Sequence, residues 1–407
     1  MVGLRKKGEM RVEKVIAYLE SPTWLGHAET QQEIYVKILL GLGNKVIVLT
    51  PFPSETKRWA REIISAQRER LYIYRLEVPD KKGFARKFKW LWANRQIKKA
   101  EKESGWDIDQ VLLTWLDGMR VSAFMAMLTG VLFRYSWVGL YFTPTHFRNK
   151  TPISKFKRLR RILSDYALLQ CSRCKGIGVV DEGVIFDLKK IKDIVVVFLP
   201  ELTEKGIIQT EELDEIKQMA RGRRIFSLVG HQTMRKGVLE FLRLAQDFPA
   251  DKGFFLLVGQ FAPESFTPRE LIEIKQLLET TGRDNCYFKL TKIENALEFN
   301  GFLACSDVLY LGYKNYYHSS GILAKAAYFK KPVIASIGYC IGDRVDKYKL
   351  GLTVNILNYE EIRAAADKLV EEDFYRTLIS GGGFVDYDEQ NSELALCKGL
   401  QQLLEQD

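Results

Sequence analysis

Cysteine, histidine and long apolar runs are all scarce in this chain of 407 residues. Six cysteines do not make a disulfide scaffold in a chain of this length, so a reduced, cytoplasmic setting is expected. The most apolar run, residues 121–133, would cover about 20 Å as a helix, short of the ~30 Å bilayer core. We therefore predict a buried helix there. The first apolar stretch, Val15–Leu19, is too short for a signal peptide.

The composition describes a globular chain with a basic excess. Hydrophobic residues make up 46% and charged residues 28% of the sequence, and the length predicts two or three domains. The net charge of +10 favours phosphates, nucleic acid or an anionic membrane surface as partners. Nucleic acid is not expected, because no recognisable nucleic-acid module occurs.

Short β-branched runs alternate with helical patterns along the whole chain. A strand at Val15–Leu19, a helix at 28–42 and a strand at 46–50 make a βαβ unit, whose crossover demands a parallel sheet. Further strands are predicted at 71–76, 111–114, 137–142, 178–180 and 195–199. This alternation of strands and helices ends at Pro200.

After a charged stretch the same alternation restarts. Strands are predicted at 225–229, 254–258, 287–289, 308–311, 333–336 and 352–355. Helices are predicted at 236–248, 268–278, 293–305, 320–329 and 360–370. The fold class is therefore α/β, with two tandem Rossmann-like doubly wound domains. We expect them to face each other across a ligand-binding cleft, with a hinge within residues 201–223.

All four histidines, His27, His146, His231 and His318, fall just after a predicted strand. Ligands bind at that edge of an α/β sheet, although four unrelated loop histidines would give the same pattern. No two histidines are four residues apart and no cysteine lies beside them, so no metal site is predicted.

Two loops carry groups that suit a phosphate. The first runs from Gly230 to Gly237 and contains Arg235 and Lys236. It offers cations and a helix start, although an ordinary solvated loop remains an alternative. The second is the sequence His318-Ser319-Ser320-Gly321, which precedes a predicted helix. Simple helix capping is its alternative explanation.

Two short motifs are discounted. Cys171 and Cys174 match C-x-x-C, but no further ligands are spaced to complete a zinc site. Asp107 and Asp109 form a D-x-D pattern, but they precede a strand and so lie at the wrong edge of the sheet.

Two basic stretches with interleaved aromatic residues, 81–99 and 147–161, are candidates for contact with an anionic membrane surface. In the first, Phe84, Phe88 and Leu91 share one helical face. The alternative is a surface helix whose aromatic side chains lie in the core. The sequence thus leaves peripheral membrane attachment open.

The second half resembles the carboxyl-terminal domain of GT-B-fold glycosyltransferases of the retaining, family-4-like group. The resemblance covers roughly 150 residues. It rests on strand 225–229 with Gly230, on Lys236-Gly237, on strand 256–258 with Gly259, and on segments 305–310 and 326–336. The amino-terminal half matches in architecture only, with Gly26 after its first strand.

This resemblance comes with two departures. His231 stands where the family usually has arginine, while Lys236 matches the family's phosphate-binding lysine. The family's two glutamates would fall at Tyr317 and Lys325, so neither is present. A lysine cannot accept hydrogen bonds from sugar hydroxyls.

The resemblance implies a glycosyltransferase that uses a nucleotide sugar without a metal or another cofactor. The donor would bind the second domain, and a glycan, lipid-linked or small-molecule acceptor would bind the first, near Gly26 and His27. Lys236 would stabilise the leaving diphosphate, and His146 would touch sugar or acceptor. The donor-binding set would be Gly230, His231, Arg235, Lys236, Gly259, His318, Ser319, Ser320, Gly321 and Lys325.

The missing glutamates motivate a second hypothesis, a degenerate protein that binds nucleotide sugar or glycan without turnover. The restart of the pattern after Pro200 predicts domain bounds of 1–200 and 201–383. The resemblance implies that the segment 384–407 returns to the first domain.

Overall fold

The computed structural model describes residues 13–21, 28–78, 88–148, 153–281 and 284–405. The chain divides into two compact units. The first comprises Met1–Leu199 with Leu396–Asp407, and the second comprises Pro200–Ala395.

The first unit is built on a parallel sheet. Its strands are β1 (Val15–Leu19), β2 (Lys45–Thr50), β3 (Leu71–Arg75), β4 (Gln110–Leu113), β5 (Trp137–Tyr141), β6 (Cys174–Val179) and β7 (Val195–Phe198). They lie in the order β3-β2-β1-β4-β5-β6-β7, and every neighbouring pair is parallel. These strands are short apolar runs rather than alternating ones because helices cover both faces of a parallel sheet.

Nine helices are described between β1 and β7. They are α1 (Ala28–Gly41), α2 (Pro53–Ala60), α3 (Ser65–Arg68), α4 (Lys89–Ser104), α5 (Leu116–Met119), α6 (Ala123–Met127), α7 (Thr129–Leu132), α8 (Lys155–Leu169) and α9 (Ile185–Ile191). Trp90, Phe133 and Trp137 meet in the core, with Trp90 in ring contact with the other two.

The second unit repeats the arrangement with six strands. They are β8 (Arg224–Val229), β9 (Gly253–Val258), β10 (Cys286–Lys289), β11 (Val308–Leu311), β12 (Val333–Ser336) and β13 (Gly351–Val354). Their order is β10-β9-β8-β11-β12-β13, again with parallel pairs throughout. The strand order reverses between β8 and β11, which is the switch point where such sheets bind ligands.

Helices flank the second sheet. They are α10 (Glu211–Ala220), α11 (Val238–Asp247), α12 (Pro268–Thr280), α13 (Ala296–Cys305), α14 (Gly321–Tyr328), α15 (Tyr339–Tyr348), α16 (Tyr359–Val370), α17 (Glu372–Ser380) and α18 (Gly383–Gln390). Local signals fix several ends. Thr267 and Glu270 form a capping box at α12, and the Asn295 side chain caps α13.

The last helix, α19 (Glu393–Leu404), belongs to the first unit from Leu396 onward. The return therefore starts later than residue 384. Phe384 and Tyr387 on α18 are buried in the core of the second unit, and this packing keeps α18 there.

The predicted class of two tandem Rossmann-like α/β domains is confirmed. The single buried helix predicted at 121–133 is wrong: the chain forms α6 and α7 instead, and Phe124, Met127 and Val131 are exposed. None of the helices in the described ranges is both long enough and apolar enough to cross a bilayer.

Candidate functional site

The carboxyl ends of β8 and β9 approach each other closely at two glycines. Gly230 and Gly259 have φ angles of +117° and +120°, which side-chain-bearing residues rarely adopt. A Cβ on Gly259 would overlap the backbone of Gly230. The backbone N–H of Gly230 donates to the carbonyl of Val258 at 2.8 Å. These glycines therefore leave backbone, rather than side chains, at this part of the sheet edge.

Gln232 holds the loop after β8 against β9. Its side chain is fully buried and donates from Nε2 to the carbonyls of Leu228 at 3.1 Å and Val258 at 2.7 Å. Sequence reasoning missed this residue, since a glutamine in a polar loop carries no signal of burial. His231, the neighbour predicted to bind donor, is exposed.

Lys236 points back along this loop toward the end of β8. Its ammonium lies 3.4 Å from the carbonyl oxygen of Val229 and 3.3 Å from the hydroxyl of Tyr313, which follows β11. A Cβ on Gly230 would lie 2.8 Å from Lys236 Nζ, so a larger residue there would displace the ammonium. Gly237, with φ +72°, then starts α11. The predicted phosphate-binding cation thus lies at the switch point between β8 and β11.

Arg235 lies beside the loop that follows β11. Its guanidinium is 4.5 Å from the ring centroid of Tyr316, a cation–π distance. Its carbonyl accepts a 2.7 Å hydrogen bond from the N–H of Lys314. The two predicted loops, after β8 and after β11, are therefore brought together.

The loop after β11 contains the other predicted donor-binding residues. His318 contacts the ring of Tyr316 edge-on at 5.4 Å, and the Tyr316 hydroxyl donates to the carbonyl of Ser319 at 2.8 Å. Ser320 is the N-cap of α14, but its side chain makes no capping hydrogen bond. The helix start is near the glycine pair, because a Cβ on Gly230 would come within 3.7 Å of Ile322.

Glu201 is a residue that no pattern in the sequence singles out. Its carboxylate accepts a hydrogen bond from the hydroxyl of Ser319, which is itself buried. Desolvation by nearby protein raises the pKa of the Glu201 carboxyl group, and the charge of Arg344 opposes this rise. A carboxylate from a distant part of the sequence thus lies next to the predicted Ser319-Ser320-Gly321 segment. Gly321 lies beside Thr203 in the same stretch of chain.

Lys325 has a different environment from Lys236. Its ammonium lies over the ring of Phe299 on α13, 5.1 Å from the centroid. Burial lowers the pKa of Lys325, and the charge of Glu204 partly opposes this. These contacts are to α13 and to the 201–204 segment, so a role for Lys325 in phosphate binding stays a prediction.

His146, in the first unit, is fully buried rather than displayed at the sheet edge. Its Nε2 lies 2.6 Å from Asp165 Oδ2, and its carbonyl accepts a 2.8 Å hydrogen bond from Arg158. Asp165 also accepts from the hydroxyl of Tyr141 and pairs with Arg120 Nε at 3.3 Å. Because the ring has no solvent exposure, this arrangement favours a positioning role, and direct contact with substrate stays a prediction. Gly26 and His27 lie outside the described residues.

Residues of the two discounted motifs have structural roles in the first unit. The carboxylate of Asp109 accepts a 2.7 Å hydrogen bond from the N–H of Val15 and so fixes the start of β1. Burial raises the pKa of the Cys174 thiol to about 12, which leaves it protonated and unreactive at neutral pH.

Comparisons with protein-family models and with curated proteins find no match. Solved structures do match over nearly the whole chain. A glycosyltransferase from Rickettsia africae ESF-5 is 15% identical, with a TM-score of 0.65, and the match covers 97% of this chain and 100% of that one. Sucrose-phosphate synthase from Thermosynechococcus elongatus is 16% identical, with a TM-score of 0.66 and coverage of 96% and 98%.

A third match is Anabaena HepE in complex with UDP and glucose, 11% identical, with a TM-score of 0.62 and coverage of 96% of this chain and 99% of that one. At these identities the likeness concerns the fold. Together with the two parallel sheets, it establishes a two-domain Rossmann-like GT-B fold.

Proposed function

We propose that the protein is a glycosyltransferase that moves a sugar from a nucleotide-activated donor to a glycan, lipid-linked or small-molecule acceptor. The donor binds the second unit at the carboxyl ends of β8 and β11. Transfer proceeds with retention and without a metal. The single observation that carries the proposal is the Lys236 ammonium at the switch point between these strands.

The geometry around Lys236 suits a diphosphate. Gly230 and Gly259 leave the backbone open to a close approach, and the first turn of α14 adds N–H groups and the positive end of a helix dipole. Arg235 lies on the same loop as Lys236. A cation, a glycine edge and a helix start are the elements that bind phosphate groups in proteins.

The same groups support the chemical step. When the bond between the sugar and the diphosphate breaks, its electron pair goes to an oxygen of the β-phosphate. The ammonium of Lys236 and the N–H groups near Gly321 stabilise that charge electrostatically, which is the role that a metal ion has in other transferases. Removing one such charge-assisted hydrogen bond costs about 1.5–3 kcal/mol.

Likeness in fold adds support to this choice of donor. HepE, whose fold this chain shares, has been crystallised with UDP and with UDP-glucose. The family-4-like sequence landmarks, above all Lys236, also support the proposal. The carboxylates of that group are replaced by Tyr317 and Lys325, so the sugar would be held by other residues.

Binding of nucleoside diphosphates tests the site. We expect UDP, GDP or ADP to raise the melting temperature of the full chain, because a ligand that binds only the folded state stabilises it. Lys236→Ala should weaken that binding by about 1.5–3 kcal/mol in isothermal titration calorimetry. Lys325→Ala should weaken it less, and Lys325→Glu tests whether a carboxylate there restores a contact to sugar. The matched control is Lys252→Ala, since Lys252 is exposed and precedes β9 at the opposite edge of the same sheet.

Unchanged affinity in both alanine variants would show that the site is wrongly placed. Release of free nucleoside diphosphate from nucleotide sugars, without acceptor, then separates enzyme from binder. Slow donor hydrolysis that Lys236→Ala abolishes supports the transferase. Tight donor binding with no hydrolysis of any common nucleotide sugar would favour the non-catalytic alternative, to which the missing glutamates point.

A further inference from the structure

Helix α8 has an apolar stripe on the side that faces solvent. Phe156, Leu159, Leu163 and Tyr166 are all exposed, and Phe156 retains 78% of its accessible surface. Their spacing of three or four residues places them on one face of the helix. An exposed stripe of four large side chains is unusual for a surface helix and marks an interaction site.

This stripe lies opposite the face that α8 packs into the first unit. The buried face carries Ser164, Asp165, Leu168 and Leu169. Ser164 donates to the carbonyl of Val121 at 2.6 Å, which joins α8 to the segment that leads into α6. The packing of α8 is therefore complete without the stripe, and the stripe has no role in the core.

The short helices beside α8 add to the exposed apolar area. Phe124 and Met127 on α6 are exposed, and Val131 on α7 keeps 81% of its surface. Helix α6 packs on α8, and its inward residue Ala126 is buried. We refer to the exposed apolar residues of α6, α7 and α8 as the α6–α8 surface: Phe124, Met127, Val131, Phe156, Leu159, Leu163 and Tyr166.

The exposed charged residues on α6, α7 and α8 are all basic. From Gly118 to Ser164 the sequence contains nine Lys and Arg residues and no Asp or Glu. Lys155, Lys157 and Arg160 are exposed on α8 itself. On a helical wheel of 100° per residue, Lys155 and Arg160 flank the two sides of the apolar stripe.

The other basic stretch, 81–99, looks different in its described part. On α4, Trp90 and Ile97 are buried, and Trp90 donates from Nε1 to the carbonyl of Met119 at 3.1 Å. Residues 79–87 lie outside the described residues. The aromatic residue at 90 therefore belongs to the core, and the α6–α8 surface is the better candidate for an external partner.

We propose that the α6–α8 surface docks on an anionic lipid bilayer, with the apolar side chains entering the interface and the flanking cations at the headgroups. A bilayer supplies an apolar layer and negative charge side by side, which matches a stripe bordered by Lys and Arg. A second copy of this chain fits less well, because two surfaces with cations only would repel each other. This inference concerns the first unit and is independent of the donor site proposed above.

Flotation with vesicles tests the proposal on the full chain. The protein should float with phosphatidylcholine vesicles that contain 30 mol% phosphatidylglycerol, and much less with phosphatidylcholine alone. High salt should weaken the binding because it screens the headgroup charge. Lys155→Glu with Arg160→Glu should lower the partition coefficient at least about 30-fold, since each basic residue near the surface contributes about fivefold. Phe156→Ser should lower it about tenfold.

Matched variants separate this surface from general effects of charge and apolarity. Arg95→Glu with Lys98→Glu reverses two exposed cations on α4, and Phe186→Ser removes an equally exposed phenylalanine on α9. Both should bind acidic vesicles as the parent does. Circular dichroism checks that all variants are folded. Hydrogen exchange with vesicles should slow in residues 123–132 and 155–166.

Three results would overturn the proposal. The first is equal binding to neutral and acidic vesicles. The second is a loss of vesicle binding in the α4 variant while the α8 variants bind as the parent does. The third is self-association that Phe156→Ser abolishes, in a protein that binds no vesicles. The last result would identify a second copy of the chain as the occupant. Because none of these readouts involves a nucleotide, they do not depend on whether the donor site is correct.

Discussion

Gly259 is a residue of the second unit that has no room for a side chain. Its φ of +120° disfavours any residue with a Cβ, and the added carbon would overlap the backbone of Gly230. Gly259→Ala should therefore lower the free energy of unfolding by about 2–4 kcal/mol, from backbone strain and overpacking together. Urea unfolding followed by circular dichroism measures the change. Gly259→Ala should also weaken the binding of nucleoside diphosphate, because β9 and Gly230 would move apart.

The control is Gly41→Ala at the end of α1. A Cβ there meets nothing within 4 Å, and the backbone is not in the left-handed region. This variant should be neutral or raise stability by about 0.4–1 kcal/mol, since alanine restricts the unfolded chain. Equal stability of the two variants would contradict the close approach at Gly259.

Single residues also show where sequence reasoning stops. The positions of Lys236 and Gly230 follow from a loop between a strand and a helix, which local sequence reveals. The contact of Glu201 with Ser319 joins residues more than a hundred positions apart, and no local sequence pattern predicts it. Likewise, the position of Lys325 on α14 is predictable, but the ring of Phe299 beneath its ammonium depends on how α13 packs.

Among the elements of the first unit, α8 is anchored by one carboxylate. Asp165 accepts hydrogen bonds from Tyr141 at the end of β5 and pairs with His146 and Arg120. Asp165→Asn should lower the free energy of unfolding by about 3–5 kcal/mol, because Arg120 would keep a largely buried charge without its partner. Thermal unfolding measures the loss.

The comparison variant for Asp165 is Asp187→Asn on α9. The side chain of Asp187 keeps 40% of its accessible surface and pairs with Lys190 at 3.6 Å, so its loss should change stability by no more than about 0.5 kcal/mol. A small effect at both positions would show that the buried network does not anchor α8. A large effect at Asp165 should also reduce vesicle binding, since α8 carries the apolar stripe.

Most strands could be predicted from the sequence and one apolar segment could not. Strands such as β1, β11 and β12 match their predicted bounds because parallel strands covered on both faces are short apolar runs between loops. Residues 121–133 are equally apolar, yet they form two short helices with exposed side chains. An apolar segment is buried only where the folded chain provides a surface for it to pack against. The sequence alone does not show whether that surface belongs to this chain or to an external partner.

At the scale of the whole molecule, α19 completes a unit that begins almost 400 residues earlier. Leu396, Leu400, Leu403 and Leu404 are buried, and the carbonyl of Leu404 accepts a 2.9 Å hydrogen bond from Lys14. Deleting residues 393–407 should unfold or strongly destabilise the first unit, because four buried leucines at about 2 kcal/mol each approach the stability of a domain. The second unit should still melt cooperatively and bind nucleoside diphosphate.

Differential scanning calorimetry with and without nucleotide measures both effects. Leu394→Ala is the control, because Leu394 lies on the same helix but is 50% exposed. That variant should melt as the parent does. A deletion that leaves the heat of unfolding unchanged would show that the first unit is stable without α19.

The interleaved course of the chain also has a consequence for biosynthesis. On the ribosome, all seven strands of the first unit emerge before the second unit is made, but α19 follows only after Pro200–Ala395. At ~5–20 residues per second this interval lasts on the order of 10–40 s. During it the nascent first unit exposes the apolar surface that the leucines of α19 later cover, so the later-made second unit is the first to be complete. Chaperones that bind nascent apolar surface would therefore engage the amino-terminal half of this protein for longer than the carboxyl-terminal half.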